Sequence, residues 1–145
     1  MKGLAICAEG IEDISASEIK ELIKAKTEQK RGCVVITPKK VEDLFLLCYK
    51  AQSVDQILIE LAETTFKNKG ELLKNLEKEC KNNLKQWFKG NTFKVACIKR
   101  NNELPSEELA ADIGGIIIKE ANPKVDLNNP DITCIAYINQ NQCYL

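Results

Sequence analysis

Short apolar runs alternate along this chain with segments whose apolar residues recur every three to four positions, and that alternation confines it to folds that stack helices on a sheet. Gly3 to Ala8 and Gly32 to Thr37 have strand length and strand composition, the second ending at Pro38. Between them Ile14, Ile19, Leu22 and Ile23 keep helical spacing as far as about Lys26, with Asp13 placed to cap the element. Val41 to Tyr49 repeats the helical pattern through Leu44, Phe45, Leu47 and Cys48, with Glu42 and Asp43 in the first turn, where the helix dipole favours anions. Ser53 to Leu61 reads as a further strand. The order β-α-β-α-β over residues 1–65 points to a small ferredoxin-like domain rather than a Rossmann unit.

Residues 66–145 continue the alternation. Glu71 to Phe88 predicts one long helix with Leu72, Leu73, Leu76, Cys80, Leu84, Trp87 and Phe88 on one side. Lys74, Lys78, Lys81, Lys85 and Lys89 gather within about 80° on another side. That stripe is either a solvated surface or a track for phosphates. Thr92 to Arg100 alternates as a strand and exits through Lys99-Arg100-Asn101-Asn102. Ser106 offers an N-cap for a helix running to about Glu120. Gly114-Gly115 costs that helix about 1 kcal/mol per glycine relative to alanine, which suggests close approach to the sheet. Lys124 to Asp131 reads as a short strand and turn, Ile132 to Ile138 as a strand, and Cys143 to Leu145 as the beginning of another. The fold class is therefore α+β, with a mixed sheet expected in the second part.

Among 145 residues there is no histidine, which excludes histidine triads, Cys-His dyads and imidazole metal ligands. The seven cysteines, at 7, 33, 48, 80, 97, 134 and 143, form no Cys-x-x-Cys pair, and nearly all lie inside apolar runs. They read as buried reduced thiols. No glycine-rich phosphate loop or metalloprotease motif is present. Cys33, Cys97 and Asp126 lack a base in any recognisable motif, so no catalytic residue, metal or cofactor site is expected. No apolar run approaches the roughly 18 residues of a membrane span, and Met1 to Glu9 lacks the features of a secretory signal, so a cytoplasmic protein is expected.

With 21 basic and 21 acidic residues the formal charge is zero, but its distribution is uneven. Residues 1–66 carry nine basic and eleven acidic groups, 67–104 carry ten and four, and 105–145 carry two and six. The field felt by a polyanion is local, so 67–104 is a basic patch on a neutral chain. All but Arg31 and Arg100 of the basic residues are lysine, which suits loose phosphate attraction better than bidentate base reading.

Phe93 to Arg100, Ser106 to Gly115 and above all Lys124-Val125-Asp126-Leu127-Asn128-Asn129-Pro130-Asp131 resemble a THUMP domain. Upstream, Gly10 to Ile14, Glu18 to Leu22, Gly32 to Ile36 and Tyr49 to Val54 resemble the ferredoxin-like domain that precedes THUMP in archaeal tRNA-modifying enzymes. The resemblance implies a tRNA-binding module that grips the acceptor stem and its single-stranded 3′ end for a catalytic domain in cis or an enzyme in trans. The nearest-looking relatives are methyltransferases acting on the N2 amino group of guanosine, with S-adenosylmethionine bound by a C-terminal domain carrying an Asp/Asn-Pro-Pro-Tyr motif. Asn129-Pro130-Asp131 is not that motif, so the chain reads as the recognition half, and its end inside a strand suggests truncation. The alternatives are a stand-alone adaptor presenting tRNA to a partner, as in cytidine acetylation, and the THUMP part of a thiouridine synthetase or pseudouridine synthase. RNA contact is expected at Lys99, Arg100 and Asn102 beside the Ser106 helix end, extended by Lys85, Lys89, Lys94 and Lys124.

Overall fold

Strand β1 (Lys2–Ile6) is buried along most of its length because it lies inside a four-stranded antiparallel sheet. It is followed by α1 (Glu12–Ile23), β2 (Lys26–Lys30), β3 (Cys33–Thr37), α2 (Val41–Lys50) and β4 (Gln56–Glu60), with sheet order β2-β3-β1-β4. This is the ferredoxin-like β-α-β-β-α-β arrangement, with one strand more than the sequence pattern indicates. The added strand, Lys26-Thr27-Glu28-Gln29-Lys30, has no apolar residue and pairs only with β3 at the sheet edge, where polar side chains discourage further pairing. Helix α1 stops at Ile23, short of Lys26, because Lys24 turns left-handed (φ 53°) while its N–H still donates to the Lys20 carbonyl (3.0 Å). Asp13 lies within its first turn and caps nothing. The computed structural model describes residues 1–81 and 84–145, divided into two units, Met1–Glu60 and Leu61–Leu145.

The first unit's core joins Ala5, Val34 and Ile36 to Ile19, Ile23, Leu44 and Leu47 of the two helices. At Gly3 a Cβ would lie 2.6 Å from Leu44 Cδ2 and 3.3 Å from the Leu58 carbonyl oxygen, so α2 crosses β1 where a side chain has no room. The Glu18 carboxylate closes the loop after α2, accepting from Gln52 N (2.8 Å), Ser53 N (3.0 Å) and Ser53 Oγ (2.5 Å).

The second unit comprises β5 (Glu63–Thr65), α3 (Lys69–Cys80), α4 (Leu84–Phe88), β6 (Thr92–Arg100), α5 (Ser106–Ala121), β7 (Lys124–Val125), β8 (Ile132–Asn139) and β9 (Gln142–Tyr144). Its sheet, ordered β5-β9-β8-β6-β7, is mixed: β6 runs parallel to β7 and β8, and β9 antiparallel to β8 and β5. Residues 63–65, too short and polar to announce a strand, are held by pairing with β9. The single helix expected over Glu71–Phe88 is two helices, its residues 82 and 83 lying outside those described. Helix α3 begins earlier, with Asn68 Oδ1 accepting from Glu71 N (2.9 Å).

Leu72, Leu76, Leu84, Leu109, Ile113 and Ile117 pack from the helices onto Phe93, Cys134, Ala136, Ile138 and Cys143 of the sheet. Phe88 meets Phe93 edge to face at 5.6 Å. Close approach does not explain the glycine pair. A Cβ at Gly114 would make an ordinary 3.9 Å contact with Val95 Cγ2, and one at Gly115 would meet nothing within 4 Å. Five of the seven cysteines are buried, Cys97 is half-buried, and Cys48 departs from the buried reading by lying exposed on α2. Burial pushes the thiols of Cys80, Cys134 and Cys143 up to about 12, which keeps them protonated and unreactive. No helix among the described residues is long and apolar enough to cross a membrane.

Candidate functional site

The parallel strands β6 and β8 end side by side, Arg100 opposite Asn139. Loops leaving the carboxyl ends of parallel strands are where such sheets commonly bind ligands. Both chains turn there through a left-handed residue, Asn101 and Gln140, each at φ 52°. The two turns hold each other: Gln140 N donates to the Arg100 carbonyl (3.0 Å) and Asn102 Nδ2 to the Gln140 carbonyl (2.7 Å). Asn102 Oδ1 also accepts from Leu104 N (2.9 Å), Phe66 N donates to the Asn141 carbonyl (3.0 Å), and Gln142 Nε2 reaches Glu63 Oε1 (3.1 Å). Around this knot opens a cavity of about 490 Å³ lined by Thr65, Asn101, Asn139, Gln140, Asn141 and Gln142.

Lys99 and Arg100 occupy opposite faces of β6, as strand alternation requires. Lys99 shares the helix-covered face with Phe93, Val95 and Cys97, and its Nζ donates across the loop to the Leu104 carbonyl. Arg100 lies on the other face, its guanidinium 6.0 Å from the centroid of the buried Tyr137 ring. Asn102 is a structural pin through the two hydrogen bonds above. The helix end beside them is not the open anion site the sequence suggested. Pro105, not Ser106, is the N-cap, and Glu107 and Glu108 occupy the first turn. Lys69 of α3 bonds Asp112 and Glu108 together, and these carboxylates raise its pKa, Asp112 foremost.

The remaining expected contacts sit toward the other end of β6. Lys124 on β7 is opposite Thr92, eight residues before Arg100, or about 26 Å at 3.3 Å per residue. Lys89 is exposed just ahead of that end, Lys85 is exposed on α4, and half-buried Lys94 shares the Arg100 face of β6. The structure therefore divides the expected residues into a Lys99, Arg100, Asn102 group and a Lys85, Lys89, Lys124 group, with Lys94 between. Lys74, Lys78 and Lys81 of the stripe are exposed as well. The motif around Lys124 is a rigid turn. Asp126 Oδ1 accepts from Asn128 N (3.0 Å) and Asn129 N (2.9 Å), so this carboxylate shapes backbone. Asp131 Oδ2 accepts from Thr92 N and Oγ1, both at 2.8 Å, which lowers its pKa, the backbone N–H foremost.

Sequence reasoning missed the cavity. Its one available signal was the run Asn139-Gln140-Asn141-Gln142, four side-chain amides together at a strand end.

A family model described as "THUMP domain" matches residues 72–145. No curated protein matches the chain by sequence. Among solved structures it is similar to PH1313 from Pyrococcus horikoshii Ot3, with TM-score 0.66 and 17% identity, over 99% of this chain and 53% of that one. It is also similar to TrmN from Thermus thermophilus, with TM-score 0.69 and 19% identity, over 99% of this chain and 44% of that one. A 4-thiouridine synthetase solved with RNA and bound ATP aligns with TM-score 0.59 and 16% identity, over 99% and 40%. The chain thus spans about half or less of the length of these structures.

Proposed function

Because this chain belongs to the THUMP domain family, we propose that it is a tRNA-binding module and the recognition part of a tRNA-modifying enzyme, with catalysis supplied by another domain or a partner protein. The family match over residues 72–145 carries this reading. The basic segment supports it, since cations at both ends of β6 suit an elongated polyanion better than a mononucleotide. The structural likeness to a synthetase solved with RNA supports RNA as the ligand. In this reading Lys85, Lys89, Lys94, Arg100 and Lys124 meet phosphates, while Lys99 and Asn102 hold the loop that presents Arg100. The finer assignment is the recognition half of an S-adenosylmethionine-dependent guanosine N2-methyltransferase, for which the supporting feature is the resemblance over residues 93–131.

The test is affinity for a whole tRNA and for the same tRNA without its 3′ single strand, at two salt concentrations. Loss of affinity on trimming is the expected result. Equal, salt-steep binding to both would reduce the function to a basic patch, and absence of binding to either would refute the tRNA reading. The chain alone is expected to transfer no methyl group from S-adenosylmethionine to tRNA; transfer by a pure preparation would place a catalytic site within it.

A further inference from the structure

We propose that the solvent-facing side of α2 is a docking surface for the same helix of a second copy of this chain, the two helices running antiparallel about a two-fold axis beside Leu46. Helix α2 has two apolar faces. One, carrying Leu44 and Leu47, is buried in the core of the first unit. The other carries Phe45 (53% exposed), Leu46 (37%) and Tyr49 (89%). Together with the exposed Glu42 and Lys50, these residues fall at i, i+3, i+4, i+7 and i+8, the spacing of a single helix stripe. The helix needs only its Leu44 and Leu47 side to pack on the sheet, so the second apolar face is not accounted for by the fold. Ile14 of α1, the helix packed beside α2, is exposed as well (57%).

The order of charge along the stripe selects a second copy as the occupant. Glu42 stands at the amino end and Lys50 at the carboxyl end, with Leu46 midway, a span of about 12 Å at 1.5 Å per residue. Antiparallel pairing centred on Leu46 sets Glu42 of each copy beside Lys50 of the other and brings each Tyr49 ring to Phe45 of the other copy. Such self-complementarity is what an interface with two-fold symmetry requires, whereas parallel pairing would set like charges together. Among the described residues neither Glu42 nor Lys50 takes part in an ion pair within the chain, so both remain open to an intermolecular one. RNA is the less suited occupant, because Glu42 and Asp43 outnumber Lys50 within the helix and repel phosphates. A face one ten-residue helix long and about 10 Å wide is smaller than the roughly 800 Å² per partner of a standard interface, so the dimer is expected to be weak, with a Kd of about 10–100 μM.

The experiment is sedimentation equilibrium on the full chain from about 1 μM to about 1 mM, where a monomer–dimer equilibrium is expected. Glu42→Lys or Lys50→Glu alone should each weaken dimerisation by about tenfold, since the symmetry turns two attractive pairs into two repulsive ones. The double variant Glu42→Lys/Lys50→Glu should return to within about threefold of the original affinity, because opposite charges meet again. Tyr49→Ala, at an exposed position away from the core, should weaken the dimer by about tenfold with an unchanged melting temperature. A monomer throughout the range, or a dimer indifferent to all of these variants, would overturn the proposal. Weakening by both single swaps without rescue by the double would overturn the antiparallel order. Loss of tRNA affinity by Tyr49→Ala at concentrations below dimerisation would assign the face to RNA and overturn the proposal too. The proposal is independent of the tRNA reading above, which none of the sedimentation results touches.

Discussion

Lys99 and Arg100 are adjacent in sequence, yet the structure gives them separate work, and replacing Lys99 with methionine isolates it. Methionine preserves an unbranched apolar stem on the helix-covered face and deletes the ammonium that donates to the Leu104 carbonyl. A hydrogen bond from a charged group contributes about 1.5–3 kcal/mol when well shielded, and partial exposure at Lys99 lowers that to about 1–1.5 kcal/mol. For a cooperative unit the size of Leu61–Leu145 each kcal/mol shifts the melting temperature by about 4–8 °C, so K99M is expected to melt about 4–12 °C lower. Below the transition its tRNA affinity should fall by no more than about twofold, with an unchanged slope of log affinity against log salt. Arg100→Gln should weaken binding and reduce that slope by about one unit. Calorimetry and a salt titration of tRNA binding measure both quantities. An unchanged melting temperature for K99M together with a slope reduced by one unit would put the ammonium on the RNA and refute the division of labour.

Gly115→Ala should stabilise the second unit by about 0.5–1 kcal/mol through helix propensity, whereas Gly3→Ala should destabilise the first, because its methyl would collide with Leu44 and crowd the Leu58 carbonyl; chemical denaturation separates the two signs. Burial alone would raise the pKa of Glu18, but the Ser53 hydroxyl and the Gln52 and Ser53 N–H groups outweigh it and leave the carboxyl below 4.5. The stability this contributes is present above 4.5 and lost as pH falls through the lower folded value, so the stability gap between wild type and Glu18→Gln should be full at pH 7 and close in acid; a gap independent of pH would refute the carboxylate clamp. A thiol-reactive dye should label Cys48 rapidly and Cys80, Cys134 and Cys143 only on unfolding; fast labelling of those three in native protein would contradict their burial.

Elements that bury an apolar face were legible from the residues alone. β1, β3, β6 and β8 show strand runs, and α2 and α5 show helical spacing, because each must present its own hydrophobic surface to a core. The α+β class follows from that pattern, and the basic segment and the absence of histidine are read directly from the composition. β2 and β5 were not legible because edge strands are specified by a neighbour's unpaired backbone, to which any polar residue can bond. Nor could spacing along the chain show that Lys124 lies about 26 Å from Arg100. The cavity is the clearest case. Thr65, Asn101 and the 139–142 run are far apart in sequence and meet only because β6 and β8 pair in parallel and β9 folds back to carry β5. The local code determined which segments form strands and helices and where positive charge is stored. Tertiary pairing decided which polar side chains converge, because convergence is set by register between strands, a relation that no single segment contains.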